Sequence, residues 1–295
     1  MKSIQTPCSA ISQVCNVGGD VFLKREDQHK YGSHKGRSIP PMVKKYFKEE
    51  GITNYVISSS GNAALAAIHA IQVHNRNNPS KLKLTVFVGL NIDGAKLKML
   101  LGVIEDPNVK LEQVERPKQS AFAIDKEGTA KLLRQSTDDN ALAGYFELAQ
   151  ELDKIPNLQA IFIPTSSGTT AQGIGEAFQT EFIEQNPQIH IVQTTACHPI
   201  AETFDNDFTE AESVAGAIVD KVAHRKEEVL KSIEGTKGSA WIVNNEEIAQ
   251  AQELAKNGCH VAMSANSALS IAGLKKAAEH GFKFNGNVVC LVTGM

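Results

Sequence analysis

With 295 residues, 42% of them hydrophobic and 21% charged, the chain is long enough for one large core or two smaller ones and has the make-up of a folded soluble protein. A formal net charge of -3 gives no electrostatic reason to expect nucleic acid or an anionic membrane as a partner. No apolar run reaches membrane-spanning length, and the start, from Met1 to Gln5, lacks the apolar stretch of a signal peptide, so a cytoplasmic protein is expected.

Along the chain, short apolar runs alternate with longer helical patterns. Residues 21–23 are the first strand-like run. Tyr31-Gly32-Ser33-His34-Lys35-Gly36-Arg37-Ser38 follows, and its Lys35 offers an amine able to form a Schiff base. Residues 55–57 read as a second strand, after which Ser58-Ser59-Ser60-Gly61-Asn62 turn the chain into an Ala-rich helix. Glycine tolerates the sharp turn there, and the hydroxyls and first-turn amides point at one anion. A polar loop at 75–80 leads to the strand 84–88.

Farther on, Leu142, Phe146, Ala149 and Leu152 fall on one helical face, and Ile174, Ala177, Phe178 and Phe182 give the same signal. Between them the strand 160–163 runs into Thr165-Ser166-Ser167-Gly168-Thr169-Thr170. Such a strand-to-helix junction can cradle phosphate with backbone amides, the helix dipole and added hydroxyls. A loop at 184–187 precedes the strand 189–192. Residues 198–208 look loop-like, with helix expected in the remainder to 240. The last strand is 288–292, with Thr293 at its end.

These strands are short, rich in branched residues and bounded by polar or Gly/Pro punctuation. Their alternation with helices predicts an α/β fold, two lobes of mostly parallel sheet covered by helices. The expected boundaries are an N-terminal segment 1–39 with the lysine, a smaller lobe 40–150, and a larger lobe 151–295 with the phosphate loop. Five cysteines, Cys8, Cys15, Cys197, Cys259 and Cys290, stand far apart, and their odd number argues against a closed disulfide framework. Cys290 lies in an apolar run and reads as a small core residue.

Gly32-Ser33-His34-Lys35, Ser59-Ser60-Gly61-Asn62-Ala63 and Leu291-Val292-Thr293-Gly294 occur in the order seen in pyridoxal-phosphate enzymes of the tryptophan synthase β-subunit type. The chain resembles that family from Thr6-Pro7 to its end, most closely threonine synthase and the related threonine dehydratases. The resemblance implies the tryptophan synthase β-like fold, pyridoxal 5'-phosphate as cofactor, a small amino acid as substrate, no metal, and a homodimer. It implies that Lys35 holds the cofactor and then removes the substrate's α-proton. His34 would contact the cofactor phosphate, the alternative being an exposed loop histidine. Ser58, Ser59, Ser60, Gly61 and Asn62 would hold the substrate carboxylate, with Asn62 also on the cofactor's ring oxygen. Ser166, Ser167, Gly168, Thr169 and Thr170 would bind the phosphate, where relatives usually carry a run of glycines. Thr293 would face the pyridine nitrogen with a hydroxyl, which favours elimination and replacement over transamination.

The expected activity is that of a lyase working by β- or γ-elimination or replacement, with threonine synthase first. A serine/threonine dehydratase or an O-acetylserine-type synthase is the alternative. The chain stops at Met295, where threonine synthases usually continue with further possible substrate contacts. Asp138 to Glu147 and Ser264 to Leu274 also resemble family elements and read as packing helices, with Ser264 near the cofactor. Two other classes stay open: a nucleotide-binding α/β protein, although no Gly-x-Gly-x-x-Gly or phosphate-loop lysine motif is present, and a catalytically silent cofactor-binding homologue.

Overall fold

A computed structural model describes residues 5–206 and 210–294. Ten strands are present among them: β1 Gln5–Pro7, β2 Val21–Arg25, β3 Asn54–Ser58, β4 Lys83–Gly89, β5 Val109–Val114, β6 Lys131–Leu132, β7 Leu158–Pro164, β8 Gln188–Thr194, β9 Ser239–Val243 and β10 Asn287–Val292. The helices are α1 Ser9–Val14, α2 Lys35–Glu50, α3 Asn62–Asn77, α4 Gly94–Gly102, α5 Pro117–Lys126, α6 Ala143–Leu152, α7 Thr169–Phe178, α8 Lys226–Thr236, α9 Asn245–Cys259 and α10 Ala265–Glu279.

The chain divides into two compact units, Met1–Gln28 with Gly144–Met295, and His29–Ala143. The first unit holds a six-stranded sheet in the order β1-β2-β10-β7-β8-β9. Only β1 runs antiparallel to its neighbour; the other pairs are parallel. Helices cover both faces, which is why β7 to β10 are almost continuously apolar rather than alternating. On one face Ile11, Ala251, Ala255, Leu269 and Ala272 pack with Leu23, Phe162 and Val288. On the other, Leu148, Ile174 and Val229 pack with Ile161, Ile191 and Leu291. The second unit has a parallel sheet, β5-β4-β3-β6, whose main core joins Ile39, Met42 and Ile68 to Ile57, Leu84 and Val86. Residues 29–39, which the sequence grouped with the N-terminal segment, fall in this second unit, because residues 21–25 pair with β10 in the first.

The six predicted strands are present, and four further ones escaped prediction. β1, β5 and β6 are short or half-exposed, and β9 begins at the end of the stretch 198–240 that was read as loop and helix. Among the described residues, beyond a short 3-10 helix at Ala201–Thr203, α-helix is found there only from Lys226. Before it, the backbone amides of Val214, Ala217, Val219 and Asp220 donate to side-chain oxygens of Asn245, Asn266 and Ser166 instead of to each other. Phe208 lies outside the described residues. Phe182 is 80% exposed and not helical, because three-residue hydrogen bonds at Gln179 and Thr180 tighten and end α7.

The cysteine reading needs correction. Cys8 before α1 and Cys259 at the end of α9 form a disulfide across 251 residues, a pairing made by α1 packing on α9 and invisible as a spacing. Cys15, Cys197 and Cys290 are buried free thiols. Among the described residues no helix is long and apolar enough to cross a membrane.

His190 on β8 is fully buried, stacked on Phe162 at 4.5 Å and flanked edge-on by Phe282 and Phe284. The indole N–H of Trp241 donates to its Nδ1 at 3.2 Å, so the ring proton sits on Nε2, 3.2 Å from the Gln188 side-chain oxygen. Desolvation drives its pKa down to about 3 from 6.5. Unfolding at pH values between these two therefore takes up a proton. Stability conferred by the neutral ring is complete above pH 6.5 and falls by about 1.4 kcal/mol per pH unit below it. Urea denaturation at stepped pH should show this one-proton slope, and His190→Phe, which keeps the stack, should lose it.

Candidate active site

In the second unit the lysine loop is fixed by its own backbone. Gly32 is left-handed (φ 76°) and its amide donates to His29 O at 2.7 Å, closing a turn. The amides of Gly36 and Arg37 then donate to Ser33 O and His34 O, each at 3.0 Å, and the Lys35 amide to Ser33 Oγ at 3.3 Å, so that α2 begins at Lys35. The side chain of Lys35 is half-buried, while Arg37 and Ser38 behind it are buried. A Cβ at Gly36 would stand 2.3 Å from His29 Nδ1 and 2.7 Å from Tyr31 Cβ, so residues 29–31 lie flush on the first turn of α2. Tyr31 also faces His69 of α3, with ring centroids 6.3 Å apart. Burial raises the Tyr31 pKa and lowers that of His69, which favours the neutral form of both.

β3 ends at Ser58 and the chain turns through Ser59, Ser60 and Gly61 into α3, whose first residue is Asn62. The Gly61 amide donates to Ser59 Oγ at 3.3 Å, and Gly61 O accepts from Leu65 to start the helix. All five residues are half-buried, and a Cβ at Gly61 would meet nothing within 4 Å, so there is room beside the turn. The Lys35 loop rests on the same first turn of α3, since a Cβ on Gly32 would lie 3.1 Å from Leu65. The second unit thus gathers His34, Lys35 and the Ser58 to Asn62 turn around the N-termini of two packed helices.

In the first unit, β7 leads through Thr165 to Gly168 into α7. Gly168 is left-handed (φ 91°), and a Cβ there would press within 2.9 Å of Val229 and 3.2 Å of Arg225. The Ser167 and Thr169 hydroxyls lie 3.1 Å apart. Thr169 and Thr170 are buried. Ser166 departs from the simple donor role: its Oγ accepts from the amides of Val219 at 3.1 Å and Asp220 at 3.2 Å, leaving one proton to offer an anion. Arg225 Nη1 donates to Gln172 Oε1 at 2.7 Å and braces the first turns of α7. Thr293 follows β10, the parallel neighbour of β7 in register Cys290↔Phe162. Thr165 and Thr293 therefore leave adjacent strands at their carboxyl ends, where open α/β sheets bind ligands. The buried Thr293 hydroxyl lies 3.5 Å from Ser267 Oγ.

The first turns of α2, α3 and α7 contain no acidic residue. In the second unit the N-termini of α2 and α3 with the Ser58 to Asn62 turn suit an anionic ligand, and Lys35 adds the amine that an aldehyde requires; in the first unit the N-terminus of α7, approached by Ser166 and Ser167, suits an anion by itself. No group of three or more metal-binding side chains is placed together among the described residues. A sequence profile of pyridoxal-phosphate-dependent enzymes matches residues 2–294. The chain belongs to that family. Threonine synthase of Methanocaldococcus jannaschii is 26% identical over 93% of the chain and 70% of the relative. L-threonine ammonia-lyase of Thermotoga maritima is 23% identical over 62% of the chain, which spans less than half (43%) of that enzyme. Among solved structures, a pyridoxal 5'-phosphate-dependent aspartate racemase superimposes with a TM-score of 0.80 at 19% identity, covering 100% of this chain and 90% of that one. The chain shares this fold, and as a family member it is a pyridoxal-phosphate-dependent enzyme. The residues present fit the cofactor: an amine at Lys35, and helix N-termini with hydroxyls and no acidic side chain, which suit a phosphate.

Sequence reading passed over Gly36, His29 and Tyr31, which seat the lysine, and it left Ser267 as packing. The close approach at Gly36 has no sequence signature beyond the glycine itself. Gly168→Ala forces a left-handed alanine against Val229 and Arg225, a cost of about 1–2 kcal/mol. Titration with pyridoxal phosphate should show affinity weakened roughly tenfold.

Proposed function

We propose that this protein is a pyridoxal-phosphate-dependent lyase that acts on a small amino acid by β- or γ-elimination or replacement. The reaction assigned is that of threonine synthase, O-phosphohomoserine and water giving threonine and phosphate. The observation that carries this reading is the likeness to threonine synthase across 93% of the chain, supported by Thr293-Gly294 at the end of β10. It works as a homodimer, in keeping with its family resemblance.

When bound, the cofactor supplies an aldehyde that takes the substrate amine and a ring that accepts the charge left at the α-carbon. Lys35 Nζ would hold that aldehyde and move the α-proton. Ser58 to Ser60, Gly61 and Asn62 would bind the substrate carboxylate through hydroxyls and helix amides, and Asn62 would also hold the ring oxygen. His34 and residues Ser166 to Thr170 would hold the phosphate, and Thr293 would offer a hydroxyl to the ring nitrogen. A hydroxyl in that role, rather than a carboxylate, would leave the nitrogen less firmly protonated and suit elimination and replacement.

A second reading, threonine dehydratase, has its support in the likeness to L-threonine ammonia-lyase. Purified enzyme with added cofactor separates the two. O-Phosphohomoserine should yield phosphate and threonine in equal amounts. Ammonia and 2-oxobutanoate from threonine, with no phosphate released, would replace the first reading by the second. Turnover of neither, with cofactor bound, would mark a silent homologue. Borohydride reduction should attach the cofactor to the Lys35 peptide, and Lys35→Ala should abolish both the attachment and at least 10³-fold of the activity (order of magnitude). Equal labelling of the variant would remove Lys35 from its role.

A further inference from the structure

The amide and carbonyl of Gly294 are held by two serines of α10 to which the reading above gives no part. Ser264 caps α10 and its Oγ donates to Gly294 O at 2.6 Å. Ser267, fully buried one turn on, donates to the same oxygen at 2.8 Å. The Gly294 amide returns to Ser267 Oγ at 3.3 Å, and Thr293 Oγ1 lies 3.5 Å from it. Gly294 has φ 133°, a conformation open to glycine and rarely adopted by L side chains, so a side chain could not replace it there. A serine hydroxyl has one proton and two acceptor sites. With its proton on Gly294 O, Ser267 presents only acceptor capacity to the Gly294 amide and the Thr293 hydroxyl.

We propose that Ser267 is a positioning residue for the cofactor: it clamps the Gly294 peptide and sets the direction of the Thr293 hydroxyl, with Ser264 as the second jaw. This rests on Thr293 meeting the ring nitrogen. Ser270, on the next turn, is equally buried, but its hydroxyl donates to Ser267 O within the helix. It serves as a control for loss of a buried hydroxyl in α10.

The test is a double-mutant cycle on the full chain, reading pyridoxal-phosphate affinity and the pH dependence of the bound cofactor's visible absorption. Ser267→Ala should weaken binding about tenfold and displace the pH profile, while Ser270→Ala leaves both within twofold. In a Thr293→Val background, Ser267→Ala should add less than a twofold further loss, since its effect passes through a hydroxyl already removed. Independent, multiplying effects, or a Ser267→Ala profile identical to that of Ser270→Ala, would overturn the clamp. Should Ser267→Ala not fold, Ser267→Cys keeps the volume with a poorer donor and must show the same displacement. If Thr293→Val alone changes neither affinity nor profile, the Thr293 assignment fails, an outcome distinct from failure of the clamp.

Discussion

β10 hydrogen-bonds on both edges, to β2 near the start of the chain and to β7 from its middle. The six-stranded sheet is joined only through this last strand, and the two hydrophobic clusters lie on its opposite sides, with Val288 and Cys290 in one and Val289 and Leu291 in the other. A strand buried on both faces and paired on both edges has almost no freedom to slip, since a one-residue shift would swap the two sets. Thr293 takes its place from that constraint, and so does its neighbour Thr165 at the end of β7. The left-handed turn at Gly168 then leads from that strand end into α7.

The electrostatics follow the same local rule in both units. A parallel strand ends, a few small polar residues turn the chain, and a helix begins with no acidic side chain in its first turn. Lys35 also opens a helix, although its loop leaves no predicted strand directly. The phosphate loop carries serines and threonines where relatives carry glycines, and the structure gives one of them a different task. Ser166 ties down Val219 and Asp220 of an otherwise irregular stretch, and Asn245 and Asn266 do the same for Val214 and Ala217. Side chains of Ser166 before α7, Asn245 of α9 and Asn266 of α10 thus add to the one backbone hydrogen bond from Ile218 to Ala215 in holding residues 214–220.

Much of this was legible before any coordinates. Strand-like runs of three to five residues rich in branched side chains, helices with one apolar face, and Ser-rich turns at strand ends are local signals, written in consecutive residues and independent of distant partners. Lys35, the Ser58 to Asn62 turn and residues 166–170 were singled out that way, and Thr293 by the family resemblance; the first two fall together in one unit and the last two in the other. What local patterns missed were elements with weak or absent periodicity. β6 has two residues, β5 is half-exposed, and Phe182 fits the helical spacing of α7 although the helix has already ended.

The sequence by itself determined the alternation of strand and helix and the chemistry available at each junction, because backbone preference and hydrophobic period act over a few residues. Tertiary structure alone decided the pairings across hundreds of residues. It put β2 beside β10, joined Cys8 to Cys259, buried His190 in an aromatic stack, and seated Gly36 against His29. It also turned Ser264 and Ser267 of a helix read as packing onto Gly294. Each depends on close approach between segments with no fixed spacing, and sub-ångström fit of that kind exists only once the chain has folded.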